Sequence, residues 1–140
     1  MARRPQEEIF SFVGDGIKRL LRQAVGEENH SRYEEALRAF RGHYLAHCLD
    51  RTQFYPGVER VLIHFADKHK AIATNKSLEY TTKILDGLGA YHFAHVVGGD
   101  DGYGLKPEPG MLLKVMEALN VTKDRTVLIG DSTNDIKGGH

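Results

Sequence analysis

Thr74 and Asn75, Lys106, and the pair Asp131 and Asp135 are the residues of this chain whose types and spacing could do chemistry together. Each sits just after an apolar run or a glycine-bearing turn. Thr74-Asn75-Lys76-Ser77 closes the run from Lys70. Gly98-Gly99-Asp100-Asp101, and then Lys106-Pro107, follow Phe93 to Val97. Gly130-Asp131-Ser132-Thr133-Asn134-Asp135 follows Arg125 to Ile129. The set offers a hydroxyl, an amide, an ammonium and two carboxylates, which suits a phosphate and a divalent cation held together. A hard cation such as Mg²⁺ takes oxygen ligands and draws only one or two carboxylates from a protein. Asp131, on a turn after Gly130, and Asp135, four residues on, answer that need. Thr74 and Asn75 can donate to phosphoryl oxygens. Lys106, on backbone stiffened by Pro107 and Pro109, can neutralise charge that develops on a phosphoryl group.

Taken singly, each residue has an ordinary reading. An Asp after a strand often caps the next helix, a Thr-Asn pair is common in turns, and a lone lysine is usually a solvated charge. The functional reading rests on their joint placement at three successive strand ends. In an open parallel sheet, ligands bind outside the carboxyl ends of the strands.

The elements that must position them follow from periodicity. Up to about residue 54 the chain reads as helical. Glu7 to Phe12 forms one segment, Gly14-Asp15-Gly16 interrupts it, and Ile17, Leu20, Leu21, Ala24 and Val25 resume the helical spacing until Gly26. Ser31 starts a further amphipathic helix carrying Tyr33, Ala36, Leu37, Phe40, Tyr44, Leu45 and Cys48. After Tyr55-Pro56-Gly57 the pattern alternates. Helices are predicted over 58–68, 78–88 and 109–119, and strands over 70–74, 93–97 and 125–129. Strands spaced by helices argue for a parallel sheet. The expected division is a helical part over 1–54 and an α/β part over 55–140.

Composition narrows the function classes. Lys plus Arg is 19 and Asp plus Glu is 19, so no basic excess points to nucleic acid or an anionic membrane. No apolar run is long enough for a membrane span, and Met1 to Pro5 lack the apolar stretch of a secretory signal. One cysteine, Cys48, allows no internal disulfide, and a cytoplasmic protein is the expectation. His43 and His47 lie four apart but have no third partner at a zinc-ligand spacing, so they read as ordinary residues.

At the three strand ends the sequence resembles the haloacid dehalogenase superfamily. Thr74 with Asn75 is similar to its second motif, Lys106 in Leu105-Lys106-Pro107-Glu108-Pro109 to its third, and Gly130 to Asp135 to its fourth. The closest branch in character is that of the phosphoglycolate phosphatases, with a small helical cap before the second motif. The resemblance implies a Rossmann-like parallel sheet and Mg²⁺ held by Asp131 and Asp135. It makes Lys106, Thr74 and Asn75 catalytic, and Gly14, Asp15, Gly16 and Lys76 substrate-binding, the first three on a cap loop. It also implies a small phosphate monoester as substrate, attacked by an Asp of an Asp-x-Asp pair to give an aspartyl-phosphate.

No Asp-x-Asp pair occurs in the 140 residues. The expectation is therefore an incomplete sheet, an internal segment of a longer enzyme, and no turnover from this chain by itself. The strand carrying that pair would lie between the strands ending at Thr74 and Gly130, so exposed edges and self-association are expected. A non-catalytic phosphate- and Mg²⁺-binding module, or a related phosphosugar mutase, would share the same three motifs.

Overall fold

The computed structural model describes residues 4–90 and 92–139; Met1 to Arg3, at the start of the stretch read as lacking a secretory signal, lie outside that range. Three helices open the chain: α1, Gln6–Ser11; α2, Ile17–Val25; and α3, Tyr33–His47. The break between α1 and α2 falls at Gly14-Asp15-Gly16, where φ is 123° at Gly14 and 83° at Gly16. Glycine adopts such angles without the steric cost that a side chain would add. Gly26 ends α2 as its spacing predicts, its N–H donating to the Arg22 carbonyl. α3 begins two residues later than the sequence suggested, because a 3₁₀ segment, Glu27–Arg32, takes up the chain in between. α2 buries Leu21 and Val25. α3 carries Phe40 and Tyr44, stacked at 5.3 Å between ring centroids, and both lean on Tyr80 at 6.4 and 5.0 Å.

The rest alternates helix and strand: α4, Val58–His64; β1, Ala71–Ala73; α5, Leu78–Gly87; β2, His95–Val97; α6, Gly110–Leu119; and α7, Thr133–Gly139. α4 stops well short of the expected Lys68. It buries no residue, and short helices persist mainly through packing. β1 and β2 are parallel, with Ala71 opposite His95, Ile72 opposite Val96 and Ala73 opposite Val97. α6 packs across both strands. Val97 and Met111, almost fully inaccessible, form the centre of the core.

The strand expected at Arg125 to Ile129 does not form. Thr126 is extended, at φ −120° and ψ 135°, but 126–130 joins no sheet among the described residues. Val127 and Ile129 are each 84% exposed. A strand is made by a neighbour about 4.8 Å away, and here the nearest sheet edge lies across open space. A groove of about 980 Å³ is flanked by Ala71 and Ala73 of β1 on one side and Val127 and Leu128 on the other. The fold class is thus α/β with a parallel sheet, as predicted, and among the described residues the sheet has two strands where three were expected. The accessible surface, 10310 Å² for 15.7 kDa, compares with about 7300 Å² for a compact monomer of that mass.

Candidate functional site

The polar clusters meet where β1 and β2 end. Thr74 continues the ladder past β1, its N–H donating to the Val97 carbonyl at 3.0 Å. Two glycines then let the exits of β1 and β2 press together. A Cβ on Gly99 would stand 2.3 Å from the Asn75 carbonyl oxygen, and one on Gly98 would stand 2.4 Å from the Leu78 nitrogen. Asp101 accepts from the Gly98 N–H and Asp100 from the Leu78 N–H, each at 2.7 Å. The second bond satisfies an amide at the start of α5 that Ser77 leaves uncapped.

Asn75 is buried and its amide is fully used. Its Nδ2 donates to the carbonyls of Gly14 and Lys106, both at 2.9 Å, and its Oδ1 accepts from the Lys106 N–H at 2.7 Å. One side chain therefore ties together the β1 exit, the Lys106 turn and the loop between α1 and α2. It presents no spare N–H to a phosphate in this arrangement. Thr74 lends Oγ1 to the Lys76 N–H at 3.2 Å and keeps its own O–H to donate.

Lys106 precedes a cis bond to Pro107. Its ammonium donates to Asp135 Oδ1 at 2.7 Å, the two side chains only 14% and 9% exposed. Asp135 Oδ2 accepts from both the N–H and the hydroxyl of Ser132. Burial pushes the Asp135 carboxyl up, but the bonds from Lys106 and Ser132 outweigh it and lower the group to about 2. Gly130 makes the close approach possible, since a Cβ there would fall 2.3 Å from the Asp135 carboxyl carbon. Asp131, by contrast, is exposed and its carboxylate has no partner among the described residues.

The structure thus brings Asn75, Lys106 and Asp135 into one hydrogen-bonded group, with Gly14 attached through its carbonyl. Asp15 joins by a different route: Asn134 donates to its Oδ1 at 3.0 Å, and Arg19 pairs with its Oδ2 at 3.1 Å. Lys76 points elsewhere. Its ammonium donates to the Tyr44 hydroxyl of α3 at 2.5 Å and lies 4.7 Å from the centre of that ring. Ser132, Asn134 and Tyr44 bond the candidate residues and were not singled out by sequence reasoning. The first two lie inside the Gly130 to Asp135 stretch, and their polar side chains were the available signal. Tyr44 read as one more apolar helical position.

Among the described residues, no three His, Cys, Asp or Glu side chains cluster as a metal cage. The His43 and His47 rings lie 4.4 Å apart, and His47 bonds Asp50 at 2.8 Å, on an exposed face. No helix among the described residues is long and apolar enough to cross a membrane.

Comparison with known proteins identifies the family and the fold. The family model for haloacid dehalogenase-like hydrolases matches residues 2–140. A phosphoglycolate phosphatase of Chromobacterium violaceum is 33% identical over 93% of this chain and 62% of its own length. A phosphoglycolate phosphatase of Psychrobacter arcticus is 34% identical over 96% of this chain and 64% of its own. The chain thus spans a little under two thirds of these relatives. A protein of Haemophilus somnus, described as a predicted phosphoglycolate phosphatase, superposes with a TM-score of 0.84 over 99% of this chain and 66% of its own, at 21% identity. A haloacid dehalogenase-superfamily hydrolase of Geobacter sulfurreducens superposes at 0.70 over the same shares, also at 21% identity, and both likenesses concern the fold. The chain belongs to the haloacid dehalogenase-like hydrolase family.

Proposed function

We propose that this chain holds the phosphate and the cation of a phosphomonoester hydrolase, with 2-phosphoglycolate as the leading substrate. The observation that carries the reading is the buried Lys106–Asp135 pair, fixed by Asn75, with the free carboxylate of Asp131 at the head of the same loop. The activity named for the relatives, phosphoglycolate phosphatase, supplies the substrate. Residues 1–54 would act as the cap and 55–140 as the unit that holds phosphate.

The donor set fits a strongly hydrated cation. Mg²⁺ keeps most of its waters and needs one or two carboxylates beside substrate phosphate oxygens. Asp131 would hold it directly, and Asp135, whose oxygens serve Lys106 and Ser132, would bond its waters. When bound, the cation supplies positive charge to phosphoryl oxygens. Lys106 adds a second charge from the protein side, and the Thr74 hydroxyl donates a hydrogen bond. A covalent route needs an attacking carboxylate. With no Asp-x-Asp pair in these residues, the 140-residue chain binds without turning over.

Two measurements on the wild-type chain and Asp131→Asn test this. Titration with Mg²⁺ and inorganic phosphate is expected to show linked binding that Asp131→Asn weakens at least tenfold. Phosphate release from 2-phosphoglycolate, with an aryl phosphate as comparison, is expected at background. Absence of linked binding overturns the holding site, and release at ordinary enzymatic rates overturns the inactivity.

A further inference from the structure

Two side-chain hydrogen bonds join the α1–α2 loop to the strand-end loops among the described residues, and they differ in kind. Asn75 bonds a backbone carbonyl, that of Gly14, and no side chain of the α1–α2 loop takes part in that bond. Asn134 bonds a side chain, the Asp15 carboxylate, 119 residues away in sequence. Asp15 stands between two glycines with positive φ, 123° and 83°. That local geometry turns the Gly14 carbonyl toward one strand-end loop and the Asp15 carboxylate toward another. Gly16 is seated closely too: a Cβ there would lie 3.1 Å from a Leu105 methyl and 3.5 Å from the Asn75 carbonyl.

We infer that Asn134 is a positioning residue: through Asp15 it latches the α1–α2 loop, and the helices on either side, onto the loop that carries Asp131 and Asp135. The Asn134 side chain bonds Asp15 and makes no hydrogen bond to the Lys106 or Asp135 side chains among the described residues, so it acts on the site through Asp15. The bond is charge-assisted, with an amide donor and a carboxylate acceptor, and such bonds exceed neutral ones in strength. Arg19 holds the other oxygen of the same carboxylate and aims it. Because the latch joins the Gly130 to Asp135 loop to the helical part, whatever moves that loop also moves the cover over the site. This holds whichever phosphate ester the site takes, and its test uses no turnover.

The test exchanges donor and acceptor. Asn134→Asp sets two carboxylates against each other, and the change itself suits α7, because acidic residues are favourable in the first turn of a helix. Amide exchange is read at Leu20, whose N–H bonds the Gly16 carbonyl, and at Thr74 and Ala94 in the strand ladder as controls. Asn134→Asp is expected to speed exchange at Leu20 about tenfold, the scale of a lost hydrogen bond to a charged group, with the controls unchanged. The swap Asp15→Asn with Asn134→Asp rebuilds the bond in reverse and is expected to return Leu20 to its original rate. A packing role for Asn134 would not be rescued by the swap. Should the controls also lose protection in Asn134→Asp, Asp15→Ser, at a half-exposed position, removes the acceptor together with its Arg19 pair and must loosen Leu20 at least as much. Unchanged exchange at Leu20 in either single variant, or no recovery in the swap, overturns the latch.

Discussion

The loops at the ends of β1 and β2 and the groove on the far edge of β1 are built from neighbouring residues, and they are finished to different degrees. Among the described residues, no buried side-chain polar atom lacks a partner, and Asn75, Lys106, Ser132 and Asp135 satisfy one another at the strand ends. Across the groove, Val127 and Ile129 face solvent at 84% exposure and 126–130 pairs with nothing described. The difference lies in what each region is made from. The strand-end group consists of side chains reaching backbone groups two or three loops away, so it closes on itself. A sheet edge cannot do so, because its N–H and C=O groups need another strand. The strand-end residues are therefore held in place without a third paired strand among the described residues.

The largest expected effect comes from breaking the closed region at its charge pair. Lys106→Met leaves the Asp135 carboxylate buried with Ser132 alone, and removing one partner of a buried pair costs about 3 kcal/mol or more. Urea unfolding of the wild type and this variant measures it. Adding Asp135→Asn to Lys106→Met is expected to recover part of the loss, since the stranded charge goes with it. Asn75→Ala comes next. It strands the Lys106 N–H and the Gly14 and Lys106 carbonyls, with an expected loss of about 2 kcal/mol by the same measurement. If either variant unfolds like the wild type, the strand-end group is not the firmer of the two regions.

Much of this was legible in the residues, and the exceptions have physical causes. The Gly14-Asp15-Gly16 break, the Gly26 helix end and both paired strands follow from glycine conformations and from periodicity, which are local properties. The gathering of Thr74, Asn75, Lys106 and Asp135 near the strand ends was legible as a set of side-chain types. The division of work within the set was not, because it depends on which loop faces which. Asn75 looked like a phosphate donor and instead spends its amide on Gly14 and Lys106. Lys76 looked like a substrate contact and instead lies on Tyr44. The run from Arg125 to Ile129 carried the clearest strand pattern in the sequence and formed no strand. β-propensity describes a fit to a pleated neighbour, and no neighbour is in reach.

The strand-end group should also respond to acid where the groove does not. Asp135 is lowered from its ordinary 3.8 to about 2. Its contribution is complete above pH 4 and is lost as pH falls through about 2. The difference corresponds to about 2 kcal/mol. Urea midpoints taken at pH 5 and pH 2 are expected to fall further in the wild type than in Asp135→Asn, which has no proton to take up there. Equal losses would mean that other carboxylates govern acid stability and that the Lys106–Asp135 pair is worth little.

The smallest expected effect on stability belongs to the open region. Replacing Val127 and Ile129 with Thr keeps β-branching while removing apolar surface that faces water. Because both side chains are 84% exposed, the double variant should unfold within about 0.5 kcal/mol of the wild type, the usual range for surface changes. Self-association should change much more. An unpaired segment with exposed apolar side chains, beside an open groove at a sheet edge, is a template for pairing between copies. Sedimentation at several concentrations is expected to show the wild type associating more strongly than the variant. A double variant that loses more than 1 kcal/mol by the scale of buried methyl groups, at concentrations where the wild type is monomeric, would mean that the two side chains are buried within the monomer. The groove would then be closed in solution, and the contrast between a finished site and an unfinished sheet would disappear.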